Sequence, residues 1–232
     1  MEGNPEQPMK TPEPTPAPQA APVPPSQTEA PAMKLPEPVA APRGGSPVLL
    51  FGKFDVTGVV IRDVGMARYI DIAPVAVPHT GGRHTSKPFA KAKMSIVERL
   101  INGMMRTEDF TGKKLKAYRA VENAFSIIEK KAQKNPLQTL IDALQHVAPR
   151  EEVTRLQYGG ISVPKAVDVA PARRVDLALR YVCQGALEGS HKSKKPIEES
   201  LADELLAAAN NDVNCFSVAK KEEIERVAAS AR

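Results

Sequence analysis

The sequence predicts a mainly α-helical protein: a six-helix bundle, a β-hairpin protruding between the third and fourth helices, and a disordered N-terminal tail. Three observations lead there. From Ile96 onward, apolar residues recur at helical spacing in six runs broken by Gly, Pro or polar residues. Between two of these runs, Tyr158-Gly159-Gly160 separates two stretches of period two, the pattern of a hairpin with a short glycine turn. Of the 22 prolines, 14 fall within residues 1–47, where large apolar side chains are too few to offset the entropy of ordering. Aromatics make up 4% of the 232 residues and Trp is absent, so aliphatic side chains must fill the core, as packed helices allow.

Residues 1–47 read as a flexible, partly polyproline-II extension, because each Pro removes a donor and disfavours helix before it. Several PxxP spacings occur in it. Residues 48–93 read as an extended basic segment. Val56-Thr57-Gly58-Val59-Val60-Ile61 and Tyr69-Ile70-Asp71-Ile72 predict short strands or ordered coil packed on the body. Residues 78–93, PHTGGRHTSKPFAKAK, form a loop in which Arg83, Lys87, Lys91 and Lys93 lie within eleven residues. His79 and His84 have no Cys or carboxylate nearby, so this is a phosphate-contacting loop and not a metal site.

Residues 94–232 form the helical domain. Ile96, Val97, Leu100, Ile101, Met104 and Met105 mark the first helix. The second runs from about Lys113 to Lys131 behind Tyr118, Val121, Phe125 and Ile128. Its first turns carry Lys113, Lys114, Lys116 and Arg119, cations that oppose the helix dipole and so ask for a bound polyanion. The third has Asn135 as cap and Pro136 at its first position; Leu137, Leu140, Ile141, Leu144 and Val147 form its stripe, and Pro149 ends it.

The hairpin follows at about 152–168, with Pro164 placing its second run at an edge. Glu151 and Glu152 predict a hinge salt bridge to Arg150 or Arg155. The fourth helix spans Pro171 to Gly189, with Val175, Ala178, Leu179, Val182, Cys183 and Ala186 inward. Arg173, Arg174 and Arg180 are its cations, and Lys192, Lys194 and Lys195 follow in the loop. The fifth, Pro196 to about Asn210, has an acidic side that reads as a solvated face. The last, about Ala219 to Ala231, reads as a surface helix with i,i+4 charge pairs.

Charge is uneven along the chain. Residues 1–50 carry three basic residues and five Glu, whereas residues 51–232 hold 29 basic and 22 acidic residues. A basic globular part favours a polyanion, with nucleic acid first. The cations gather at 83–93, 113–119, 150–174 and 192–195, near loops and helix starts, as in proteins that bind RNA by shape. Arg150, Arg155 and Lys165 join the list at the hairpin. No G-x-S-x-G or H-E-x-x-H motif is present, and Gly159-Gly160…Lys165 lacks the spacing of a P-loop, so neither an enzyme nor a cofactor is expected. Cys183 and Cys215 read as buried thiols, and no apolar run approaches the ~20 residues that span a bilayer. A soluble cytoplasmic protein without a membrane partner is expected.

The segments GGRHTSKPFAKAKMSIVERLINGMMR, TGKKLKAY, NPLQTLIDAL, APREEVTRLQYGGISVPKAVDVAPARRVDLALR, KSKKPIEESLADELLAAA and KKEEIERVAASAR closely resemble the small-subunit ribosomal protein seven family in its archaeal and eukaryotic form. The resemblance covers about Leu50 to Arg232; the Pro-rich tail has no counterpart in the common pattern. It implies six helices with a ribbon between the third and fourth, and a primary binder of the 3′ major domain of 16S-type rRNA that nucleates head assembly. It implies a place at the subunit interface, near exit-site tRNA and the mRNA path, beside ribosomal proteins nine and eleven. Gly112-Lys113-Lys114 and the ribbon base with Arg173-Arg174 match the family's rRNA-contacting motifs, and the tip at Tyr158, Gly159 and Gly160 would reach toward tRNA and mRNA. The competing reading is a helical DNA-binding regulator with the Arg173 helix in a major groove. Against it, that helix is preceded by a ribbon and not by a short turn from another helix.

Overall fold

The computed structural model describes residues 48–106 and 111–232; the tail expected over 1–47 lies outside them. Six helices of nine or more residues pack together: α2 (Ile96–Met104), α3 (Lys114–Ala132), α4 (Pro136–Val147), α5 (Pro171–Ser190), α6 (Ile197–Ala209) and α7 (Phe216–Ser230). A single turn, α1 (Val64–Ala67), precedes them. The ribbon of β1 (Glu151–Tyr158) and β2 (Ile161–Asp168) lies between the third and fourth of the six long helices.

The stripes read from sequence become the core. Leu140, Ile141, Leu144 and Val147 of α4 are fully buried, as are Val175, Ala178, Val182 and Ala186 of α5. Each fully buried Leu or Ile removes enough apolar surface to contribute about 1.5–3 kcal/mol. Asn135 caps α4 as expected: its Oδ1 accepts from the Leu137 amide at 2.9 Å. α5 and α6 approach closely where glycine leaves room; a Cβ on Gly185 would lie 2.5 Å from Glu204 Oε1.

Residues 48–93 are mostly ordered coil, interrupted by α1 and by two 3-10 turns at Arg83–Ser86 and Ala90–Lys93, with isolated bridges in place of strands. Leu50, Phe54, Val56, Val59 and Met66 join the core. The coil's backbone finds partners on α4. Gln138 accepts from the Val60 amide at 2.9 Å and donates to its carbonyl at 3.1 Å. Gln145 Oε1 accepts from the Arg62 and Asp63 amides, each at 3.1 Å. With these donors satisfied by side chains, a strand partner is unnecessary.

The ribbon occupies the expected stretch, beginning one residue earlier, with eight cross-strand pairs from Glu151↔Asp168 to Tyr158↔Ile161. Gly159 and Gly160 have φ of 54° and 90°, the two positive values a type I′ turn needs. Hydrogen-bonded and non-bonded pairs alternate from the closing pair. Pro164, opposite Arg155, falls on a pair that exchanges no bond, so the strand runs through it. The ribbon's root is fixed by the residue that follows α7: the Ala166 amide donates to the Ala231 carbonyl at 3.2 Å.

α7 begins three residues before the expected Ala219. Glu204 of α6 accepts from the Ser217 amide at 2.8 Å, satisfying one of the first-turn donors. Both cysteines are free and buried, and burial pushes the Cys183 thiol up to about 12.

Candidate nucleic-acid interface

Helix α2 carries two adjacent charged residues that the core nearly covers: Glu98 is 1% exposed and Arg99 7%. A buried charge persists only when paired and hydrogen-bonded, and both are. Glu98 Oε1 accepts from the Thr80 amide at 2.9 Å and from Lys114 Nζ at 2.8 Å. Burial alone would raise the Glu98 carboxyl; the bonds from Lys114 and Thr80 outweigh it and hold the carboxyl below its usual value. Arg99 donates to the Tyr69 carbonyl at 2.8 Å and to Asp176 Oδ1 at 2.8 Å. Asp176, in the first turns of α5, also binds Lys91. Arg174 of α5 pairs with Asp63 at 3.0 Å.

These contacts bring together clusters that are far apart in sequence. The loop at 80–93, the start of α3 and the start of α5 all adjoin the first half of α2 through Glu98, Arg99 and Asp176. The ribbon joins them through Arg173, whose guanidinium reaches Glu152 Oε1 at 2.8 Å. The loop at 192–195 is not part of this group. It follows the far end of α5, a helix of 20 residues and so about 30 Å long. There Lys195 and Lys131 both bind Asp203, at 2.7 and 2.6 Å.

The sixteen cations named from sequence therefore divide. Lys91, Lys114, Arg173, Arg174 and Lys195 hold internal carboxylates. Arg174 is the most withdrawn, its side chain 12% exposed. The dipole-opposing position of Lys114 has an internal cause: it neutralises Glu98. Among the described residues, Arg83, Lys87, Lys93, Lys116, Arg155, Lys165, Arg180, Lys192 and Lys194 are exposed and form no internal ion pair. Lys113 is exposed at the cap of α3. Arg150 is exposed too, and its backbone amide donates to Glu225 at 2.9 Å.

Two expectations about carboxylates change. Glu151 and Glu152 pair with neither Arg150 nor Arg155. Successive strand residues face opposite sides, and the two reach Arg232 and Arg173 respectively. The acidic side of α6 is more than a solvated face: Glu198 accepts from Asn123, Asp203 binds two lysines, and Glu204 caps α7. The charge pairs of α7 form as expected, Lys221–Glu225 at 3.5 Å among them.

The ribbon tip is apolar as well as flexible in composition. Tyr158, Ile161 and Val163 are exposed there, with Gly159 and Gly160 between. One residue escaped the sequence reading. Phe89 projects from the basic loop, 73% exposed. An aromatic among Lys87, Lys91 and Lys93 was the signal for it. Among the described residues, no group of three or more His, Cys, Asp or Glu is placed to hold a metal, and no helix is long and apolar enough to cross a membrane.

Residues 66–232 match the family model described as ribosomal protein S7p/S5e. The chain is 57% identical over 185 residues to the small ribosomal subunit protein uS7 of Archaeoglobus fulgidus, covering 80% of this chain and 95% of that protein. It is 55% identical over 184 residues to the protein of that name from Picrophilus torridus, covering 79% and 98%. With the one from Methanocorpusculum labreanum it shares 54% over 187 residues, covering 81% and 96%.

Proposed function

The chain belongs to the ribosomal protein S7p/S5e family, and on that footing we propose that it works as a structural, non-enzymatic constituent of the small ribosomal subunit in the cytoplasm. Its task is to bind the 3′ major domain of the small-subunit rRNA and nucleate assembly of the head. Residues 94–232 are the rRNA-binding domain, and 48–93 a basic extension of it. The observation that carries this reading is the group of exposed cations Arg83, Lys87, Lys93 and Lys116, which form no internal ion pair among the described residues and stand on a loop and a helix start that buried Glu98 and Arg99 tie to the core.

The mechanism is electrostatic. Arg83, Lys87, Lys93 and Lys116 contact phosphates of a folded junction, and each contact releases condensed counterion. The ion pairs of Lys91 and Lys114 fix the backbone from which these cations project, so less of it has to be ordered on binding. Arg155, Lys165 and Arg173 extend the grip to the ribbon. The tip at Tyr158-Gly159-Gly160 reaches toward exit-site tRNA and mRNA, and its apolar residues suit a protein neighbour. Ribosomal proteins nine and eleven are the proposed ones.

Binding of the full chain to an rRNA head fragment, measured against salt, tests this. Changing Arg83, Lys87 and Lys93 together to Ala should weaken binding and flatten the slope of log K on log salt by about 2–3. Duplex DNA should compete poorly. Equal affinity for duplex DNA at moderate salt would favour the DNA-binding reading and sink this one.

A further inference from the structure

We propose that Phe89 is a stacking platform for an unpaired RNA base, with neighbouring cations holding the phosphates on either side. The proposal rests on the ribosomal reading in taking RNA as the partner. It adds which part of the RNA is held, and by what.

Phe89 is the most exposed large hydrophobic side chain among the described residues. Its backbone is also strained, with φ of 58° and ψ of 3°. Four other non-glycine residues have positive φ: Phe51, Gln133, Lys192 and Asn211. Gln133 caps the end of α3, and Lys192 and Asn211 follow the ends of α5 and α6, where left-handed residues are usual. Phe51 offsets its strain by packing, with its ring 4.9 Å from that of Tyr118 and 6.0 Å from that of Phe125. Phe89 has neither excuse. It precedes a single 3-10 turn, Ala90–Lys93, and its ring packs into no core. Glycine would serve the backbone better, and any polar residue would serve the surface better.

The surroundings name the ligand. Arg83, Lys87 and Lys93 flank the ring in sequence, exposed and without internal partners. Phe89 also lines a small, mostly apolar cavity with Tyr69, Lys91, Ala92, Arg99 and Ala172; Lys91 and Arg99 there are both paired with Asp176, so the cations left for a phosphate are Arg83, Lys87 and Lys93. An exposed aromatic face among cations is how proteins hold single-stranded nucleic acid, because every base offers a π-face and every step a phosphate. Duplex RNA has no free base face to offer, so the ligand is a loop, bulge or junction nucleotide.

The chain contains no Trp, so Phe89→Trp introduces a single indole reporter. Titrating that variant with the rRNA head fragment should quench its fluorescence in step with binding, and a fully paired RNA duplex should not. Phe89→Gly relieves the backbone. It should melt at the wild-type temperature or above, yet bind the fragment about tenfold more weakly or worse, with the same salt slope. Wild-type affinity in Phe89→Gly, or an unquenched indole at saturation, overturns the proposal. A lower melting temperature in Phe89→Gly also overturns it, since the ring would then be structural or dock on protein. If the wild type itself fails to bind the fragment at any salt, the ribosomal reading falls, and this one with it.

Discussion

The corner formed by loop 78–93 and α3 and the β-ribbon both present cations to solvent, yet they are held in opposite ways. The corner hangs on side chains that the core has swallowed, Glu98 and Arg99. No residue of β1 or β2 is fully buried; the ribbon stands on its own ladder and on contacts at its root. In the corner, the backbone that carries the cations is therefore held by the folding free energy. In the ribbon, surface chemistry is nearly independent of it. A protein that must both grip one partner rigidly and reach another benefits from keeping the two apart.

The sharpest way to break the comparison is through the core beneath the corner. Phe125 is fully buried and its ring meets those of Phe51 and Phe54, each at 6.0 Å. Phe125→Ala should cost about 3–5 kcal/mol in urea unfolding. Next comes the buried pair. Lys114→Gln strands the Glu98 carboxylate and should cost about 3 kcal/mol, while Glu98→Gln with Lys114→Gln should recover most of that. A double variant no better than the single one would mean that Lys114 is not the counter-charge.

The same pair sets an acid limit. The Glu98 carboxyl is held below its ordinary 4.5 in the folded state, so its contribution is complete above that value and fades as pH falls through the lowered folded value. Wild-type urea midpoints should therefore drop below pH 4.5 more steeply than those of Glu98→Gln. The smallest effect belongs to the ribbon. Tyr158→Ser with Ile161→Ser should change stability by under about 0.5 kcal/mol and leave rRNA affinity intact. A large loss there would erase the distinction between the two regions.

Legibility in the sequence follows the range of the interactions. α4 was fully readable because its cap, its Pro at the first position and its stripe are all local. The ribbon and its extent were readable from Gly159-Gly160 and the flanking alternation, though what its root docks on was not, since that is the distant Ala231. The coil at 56–63 was ambiguous because Gln138 and Gln145, some eighty residues away, decide where its amides go. The start of α7 was missed for a similar reason: Glu204 supplies it from another helix. In the candidate site, the cations themselves were plain. Which of them the protein keeps for its own carboxylates depended on where the fold placed Asp63, Glu98, Asp176 and Asp203, none of which a local pattern reveals. Phe89 was visible as a letter, but its exposure and strain were not.

The last two residues have a practical bearing. The Ala231 carbonyl receives the Ala166 amide, and Arg232 grips Glu151, so the residues just past α7 are packed into the root of the ribbon. A fluorophore placed at residue 231 or 232 is thus no neutral addition: it loads the contacts at the root of the ribbon. An experiment meant to report on that root should put its label there. One meant to leave it alone should use the exposed connection at residues 210–214.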